Sequence, residues 1–115
     1  MITIRRYCGR VLYEMNGNLI REYCGSILYE IKGNYLRRYC GRNLYEFSNN
    51  QIREYCGSVL YEFDGSSFRR YCGRILYQID GNKIREYCGS VLYEVNGNPS
   101  KQEWMAIMMV LFGDK

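Results

Sequence analysis

Apolar and polar residues alternate along most of this chain, and the alternation breaks at the same two places every sixteen residues. Period two is the signature of a strand with one face turned to a core. On that reading one face carries Ile4, Val11, Tyr13 and Met15 with their copies, such as Ile20, Ile27, Tyr29 and Ile31. The other carries Arg5, Tyr7, Leu12 and Glu14 with theirs, an outer skin of Arg stems and Tyr rings over the leucines. The breaks are turns. Asn16-Gly17, Asp64-Gly65, Asp80-Gly81 and Asn96-Gly97 are tight-turn dipeptides, and Cys-Gly supplies the turn at the opposite end. Six hairpins over residues 2–98, hence twelve strands in an up-and-down meander, are predicted. A unit this short cannot bury its own apolar face and must pair with its copies.

The last segment, 99–113, leaves the repeat. Ser100-Lys101-Gln102-Glu103 has the form of a capping box, with Ser100 as N-cap. Trp104 to Phe112 is apolar without interruption, and Gly113 is a suitable stop. A helix apolar on all sides must be buried on all sides. A barrel of about eight strands fills itself with its own side chains, whereas a wider one needs a plug. Twelve strands enclose a radius of roughly 10 Å, which suits one helix on the axis. The fold class expected is therefore mainly β: a closed 12-stranded antiparallel up-and-down barrel of six 16-residue hairpin repeats, plugged by a hydrophobic C-terminal α-helix. Closure requires shear. A bulge, or a turn shifted to Gly17-Asn18, must supply about two residues of offset per hairpin.

A finer pattern doubles the period. Arg6, Glu22, Arg38, Glu54, Arg70 and Glu86 alternate at one position, and Arg10, Ser26, Arg42, Ser58, Arg74 and Ser90 at another. An alternating inner ring near the Cys-Gly end, each charge paired with two opposite neighbours, fits a closed ring with an even number of hairpins. Charge pairing between alternate units of an open sheet is the other arrangement that would produce it.

Composition narrows the function. The 115 residues suit a single domain, 1–115, and the net charge of +4 permits an anionic partner without requiring one. No apolar run is long enough to span a bilayer as a helix, and Arg5-Arg6 is not followed by the apolar core of a secretory signal. Cys8, Cys24, Cys40, Cys56, Cys72 and Cys88 stand one repeat apart. Equivalent points on successive hairpins lie roughly 9–10 Å apart, beyond the Cα separation of about 7 Å that a disulfide spans. Free thiols and a cytoplasmic location are expected. Without any histidine, and with thiols too widely spaced for one tetrahedral ion, no metal, cofactor or enzymatic activity is expected.

The expected function is a non-enzymatic interaction or scaffold module of unknown partner; the alternative is a peripheral binder of anionic ligands through a basic rim. Arg6, Arg10, Arg38, Arg42, Arg70 and Arg74 gather at the Cys-Gly end, opposite the acidic Asn-Gly end, and form a candidate anion-binding rim. Its ligands would be acidic phospholipid head groups or nucleic-acid phosphate. Cross-strand salt bridging and solubility would explain the same charges, leaving a monomeric module with a protein partner.

Residues 84–97, Ile-Arg-Glu-Tyr-Cys-Gly-Ser-Val-Leu-Tyr-Glu-Val-Asn-Gly, carry a Tyr-x-Gly…Gly pattern that resembles bacterial β-hairpin repeat proteins of the four-fold β-flower type. The likeness covers residues 4–98 and departs in having six units and Cys before Gly. Twelve strands followed by a hydrophobic helix also resemble, in miniature, the tubby-like and scramblase-like barrels. That resemblance implies anionic phospholipid recognition.

Alkylation of protein prepared without reductant is expected to add six labels, one per cysteine. Three disulfides, with stability lost on reduction, would overturn the spacing argument.

Overall fold

The structure is a computed structural model that describes residues 2–112. The first six strands are β1 (Ile2–Arg6), β2 (Val11–Asn16), β3 (Leu19–Glu22), β4 (Ile27–Lys32), β5 (Tyr35–Arg38) and β6 (Asn43–Ser48). The second six are β7 (Gln51–Glu54), β8 (Val59–Phe63), β9 (Ser67–Arg70), β10 (Ile75–Asp80), β11 (Lys83–Glu86) and β12 (Val91–Asn96). One helix, α1 (Lys101–Phe112), follows; the expected stop at Gly113 lies outside the described residues.

Each strand pairs antiparallel with its neighbours, and β1 pairs with both β2 and β12, so the barrel is closed. The seam is built like the other joints. Ile4 faces Val95 as Ile20 faces Met15, and the Tyr7 amide donates to the Leu92 carbonyl at 3.0 Å as Tyr23 does to Leu12. Extents of 37 × 34 × 22 Å, two long and nearly equal, suit a ring of short hairpins.

The two ends turn differently. At one, Asn16 pairs with Leu19 and leaves Gly17-Asn18 as the loop, one residue later than the Asn-Gly dipeptide suggests. Gly17 has φ 64°, the positive value that the first central position of a primed hairpin turn requires. Asn49, φ 55°, takes that place in the third repeat. At the other end Ile4 faces Tyr13 but Arg5 faces Val11, so Leu12 is an extra residue, a β-bulge. The same irregularity occurs in all six Cys-Gly hairpins.

The bulge provides the missing shear. Ile4 is level with Tyr13 and Tyr13 with Glu22, so position 4 of one repeat is level with position 6 of the next. Two residues of offset, repeated over six hairpins, tilt the strands enough to close the ring. The bulge also corrects the sorting of faces. Val11 shares a register position with outward Arg5 and is not a core residue like Tyr13. Leu28, Leu44, Leu60 and Leu76, expected outside, pack against the core instead. Strict alternation fails there because two residues oppose one.

Inside, Ile4, Met15, Ile20, Leu36, Ile52, Phe63, Phe68 and Ile84 are almost wholly buried. They surround α1, whose residues Met105 to Val110 are buried without a break, on every side of the helix. The capping box forms reciprocally: the Ser100 amide donates to Glu103 Oε1 at 2.9 Å, and the Glu103 amide to Ser100 Oγ at 3.3 Å. Gln102 Nε2 donates to the Gly33 carbonyl at 2.6 Å and Lys101 Nζ to Asn50 Oδ1, which ties the start of the helix to two loops at the Gly-Asn end. Its far end reaches the other mouth, where Phe112 stacks on Tyr77 at 3.9 Å and meets Tyr93 edge-on at 5.8 Å.

Ile107→Ala would remove a fully buried side chain from the axis and is expected to cost about 2–5 kcal/mol in urea unfolding. A cost within about 0.5 kcal/mol, as for a surface change, would place the helix outside the barrel.

Candidate functional site

The site is built on the Cys-Gly turns. The Gly9 amide donates to the Arg6 carbonyl at 2.8 Å, which makes Tyr7 and Cys8 the central pair. The left-handed residue is the cysteine, not the glycine: Cys8, Cys24, Cys40, Cys56, Cys72 and Cys88 all have φ between 55 and 57°. A non-glycine residue there costs on the order of 1–3 kcal/mol. Gly9 is needed for a different reason, since a Cβ on it would lie 3.0 Å from Arg6 Cβ.

The Arg that recurs at position 5 secures this turn. Arg5 Nη2 donates to the Gly9 carbonyl at 2.6 Å and Nε at 3.1 Å. Arg21, Arg53 and Arg69 do the same to Gly25, Gly57 and Gly73, whereas Arg37 and Arg85 reach Gly41 and Gly89 through Nη2 alone. These arginines are thus engaged with their own turns. The cysteines are free thiols, all exposed. No group of three His, Cys, Asp or Glu side chains able to hold a metal ion occurs among the described residues.

All six candidate arginines, Arg6, Arg10, Arg38, Arg42, Arg70 and Arg74, are exposed on or beside these turns. They share the rim with Glu22, Glu54 and Glu86, which leaves it with a net positive charge. Beneath them runs the inner ring of Tyr13, Tyr29, Tyr45, Tyr61, Tyr77 and Tyr93, since Arg6 faces Tyr93 and Glu22 faces Tyr13 in register. The expected pairing of each rim charge with its neighbours is not formed. The ion pairs within 4.0 Å among the described residues are Glu62–Arg69 at 3.9 Å and Asp80–Arg85 at 3.6 Å, both away from that ring. Successive rim positions stand two strands apart, roughly 9–10 Å, too far for direct contact without reorientation.

The doubled period acts elsewhere. Three crevices open between hairpins, one per 32 residues, with volumes of 510, 590 and 490 Å³. The first is lined by Arg10, Leu12, Tyr13, Glu22 and Tyr23. The second repeats this with Arg42, Leu44, Tyr45, Glu54 and Tyr55, and adds Arg38; the third has Arg74, Leu76, Tyr77, Glu86 and Tyr87. Arg10, Arg42, Arg74 and Arg38 therefore line crevices, whereas Arg6 and Arg70 stand on the rim outside them. Burial first, and then the Glu86 carboxylate, push the Tyr77 phenol above its ordinary pKa, so it stays protonated.

The tyrosines and glutamates of the crevices were not among the candidate anion-binding residues read from sequence. Their signal was present, because Glu alternates with Arg at position 6, but Tyr at a strand position reads first as packing. Tyr7, Tyr23, Tyr39, Tyr55, Tyr71 and Tyr87 are in fact 46–52% exposed.

No protein family, no curated protein and no solved structure matches this chain. The structure shows a closed 12-stranded barrel with one C-terminal helix, and no match ties it to the β-flower or tubby-like proteins.

Cys40→Gly is expected to raise stability by up to about 1 kcal/mol, because glycine adopts the left-handed conformation without a Cβ penalty. Arg53→Ala should lower it by about 1 kcal/mol through loss of the bonds to the Gly57 carbonyl. Urea midpoints moving the opposite way would refute this account of the turn.

Proposed function

We propose that this chain is a non-enzymatic interaction module whose recognition surface is the Cys-Gly rim, and that the rim takes anionic groups. The observation that carries the reading is the threefold recurrence of one crevice, each with an exposed Arg at its edge and a half-exposed Tyr beside it. Arg and Tyr are the side chains that supply most binding energy where surfaces recognise partners. Burial in the barrel does not account for them, since neither Arg10 nor Tyr23 is in the core.

The sign of the ligand follows from charge. Three arginines at position 10 face no carboxylate of their own hairpin, and the alternate hairpins carry serine there. The helix presents its C-terminal, partially negative end toward this mouth and has no basic residue in its last turn. The arginine excess more than offsets that half charge. Acidic phospholipid head groups and nucleic-acid phosphate are the ligands of this class, in a cytoplasmic setting consistent with six exposed free thiols. The chain contains no histidine to act as the general base that a nucleophilic thiol commonly uses.

Replacing Arg10, Arg42 and Arg74 together by Ser tests the reading. The change is structurally mild, because Ser26, Ser58 and Ser90 occupy the same place in the intervening hairpins. Binding to acidic vesicles or oligonucleotides should fall at least about tenfold, and wild-type binding should weaken with salt. Absence of wild-type binding at low ionic strength would remove the anion reading. Binding that survives both the triple change and high salt would assign the rim to a protein partner through its tyrosines.

A further inference from the structure

The crevices are dipolar as well as basic. Each has an Arg from one hairpin on one side and a Glu from the next hairpin on the other: Arg10 with Glu22, Arg42 with Glu54, Arg74 with Glu86. Among the described residues none of these six takes part in an ion pair within 4.0 Å. The opposite charges share a cavity of about 500 Å³ without closing on each other. The Glu22 carboxylate instead lies over its own turn, where a Cβ on Gly25 would meet Oε1 at 3.1 Å.

The intervening joints differ. There the corresponding positions are Ser26 with Arg38, Ser58 with Arg70, and Ser90 with Arg6. The doubled period thus builds three crevices with both charges and three joints with one. Closure does not need this distinction, because both kinds of joint have the same register and the same Tyr-to-Leu backbone bond near 3.0 Å.

From this we infer that each of the three crevices binds one small zwitterion, a phosphate ester bearing an ammonium group. The guanidinium takes the phosphate, whose oxygens match its planar fork. The carboxylate takes the ammonium, helped by the faces of the two tyrosines, whose quadrupoles attract a cation, a methylated one included. This deepens the rim reading and rests on it. The same chemistry occurs in a free phosphoamine and in the head group of a zwitterionic lipid.

Calorimetric titration of the full chain with phosphocholine, inorganic phosphate and choline tests the inference. Phosphocholine should bind at three sites, the middle one having Arg38 beside Arg42, and at least about tenfold more tightly than either half-ligand, as two charges held at once imply. In Glu22→Gln/Glu54→Gln/Glu86→Gln, phosphocholine affinity should fall to that of inorganic phosphate while phosphate affinity is kept or rises. In Arg10→Ser/Arg42→Ser/Arg74→Ser phosphocholine and inorganic phosphate should both be lost from the first and third crevices and weakened at the second, where Arg38 remains. Unchanged circular dichroism and urea midpoints would show that the variants fold; the Ser set uses a residue the alternate hairpins already carry, so it remains informative if the Gln set does not fold. Sedimentation with phosphatidylcholine vesicles assigns the source: retention on vesicles indicates the lipid head group, and binding of the free ester alone indicates a soluble ligand, each in support. Inorganic phosphate binding as tightly as phosphocholine in the wild type, with no effect of the Gln changes, would overturn the zwitterion and leave the anionic rim standing. Failure of every phosphate ligand together with acidic vesicles and oligonucleotides would remove both.

Discussion

A ring of strands closes only if the hydrogen-bond register advances around it, and here the advance comes from one device used six times. Each Cys-Gly hairpin inserts Leu12 or its copy as a bulge, and each bulge offsets the next hairpin by two residues. Without that offset twelve equal strands would return to the same height and the sheet would remain open. With it the ring is wide enough to admit an α-helix. A sheet of this width could not fill its own interior, so the apolar helix and the bulge require each other. The bulge lets Leu28, Leu44, Leu60 and Leu76 pack against the core and sets Val11 in register with the outward Arg5.

The same turns store strain and hold it. Six cysteines adopt a left-handed backbone that non-glycine residues avoid. The structure offers no reason for cysteine in particular. What holds the conformation is local: the amide of the following glycine bonds back across the turn, and the guanidinium at position 5 grips that glycine's carbonyl. Arg5 and its copies therefore recur for backbone geometry rather than for charge. That separates them from the arginines at positions 6 and 10, whose side chains make no comparable contact among the described residues. The side chains left over after closure, packing and turn formation are accounted for are the ones that line the three crevices. Function is best sought there, because fold alone does not specify it.

Much of the architecture was legible in the chain because period-two alternation and turn dipeptides are local signals. They required hairpins, and the uninterrupted run from Trp104 to Phe112 required a helix with no exposed face. Ser100 and Glu103 announced the helix start, and both capping bonds form. What alternation could not show was the bulge, since an extra residue leaves the sequence period unchanged and alters only the pairing. For that reason the face of Leu28 was misread and that of Tyr29 was not. The rim arginines were legible as a set by their alternation. Their partition into crevice and open rim was not, because it depends on which neighbour each hairpin presents.

The sequence by itself determined the repeat, the strands, the terminal helix and the presence of alternating charge, all properties of residues near one another in the chain. Tertiary structure decided which charges share a cavity. Arg10 and Glu22 are brought to one crevice by pairing between β2 and β3 and by the offset that the bulges impose. The same pairing sets Ser26 beside Arg38 at the next joint. The chemical difference between two joints of identical backbone therefore arises where hairpins meet, and a single repeat cannot express it.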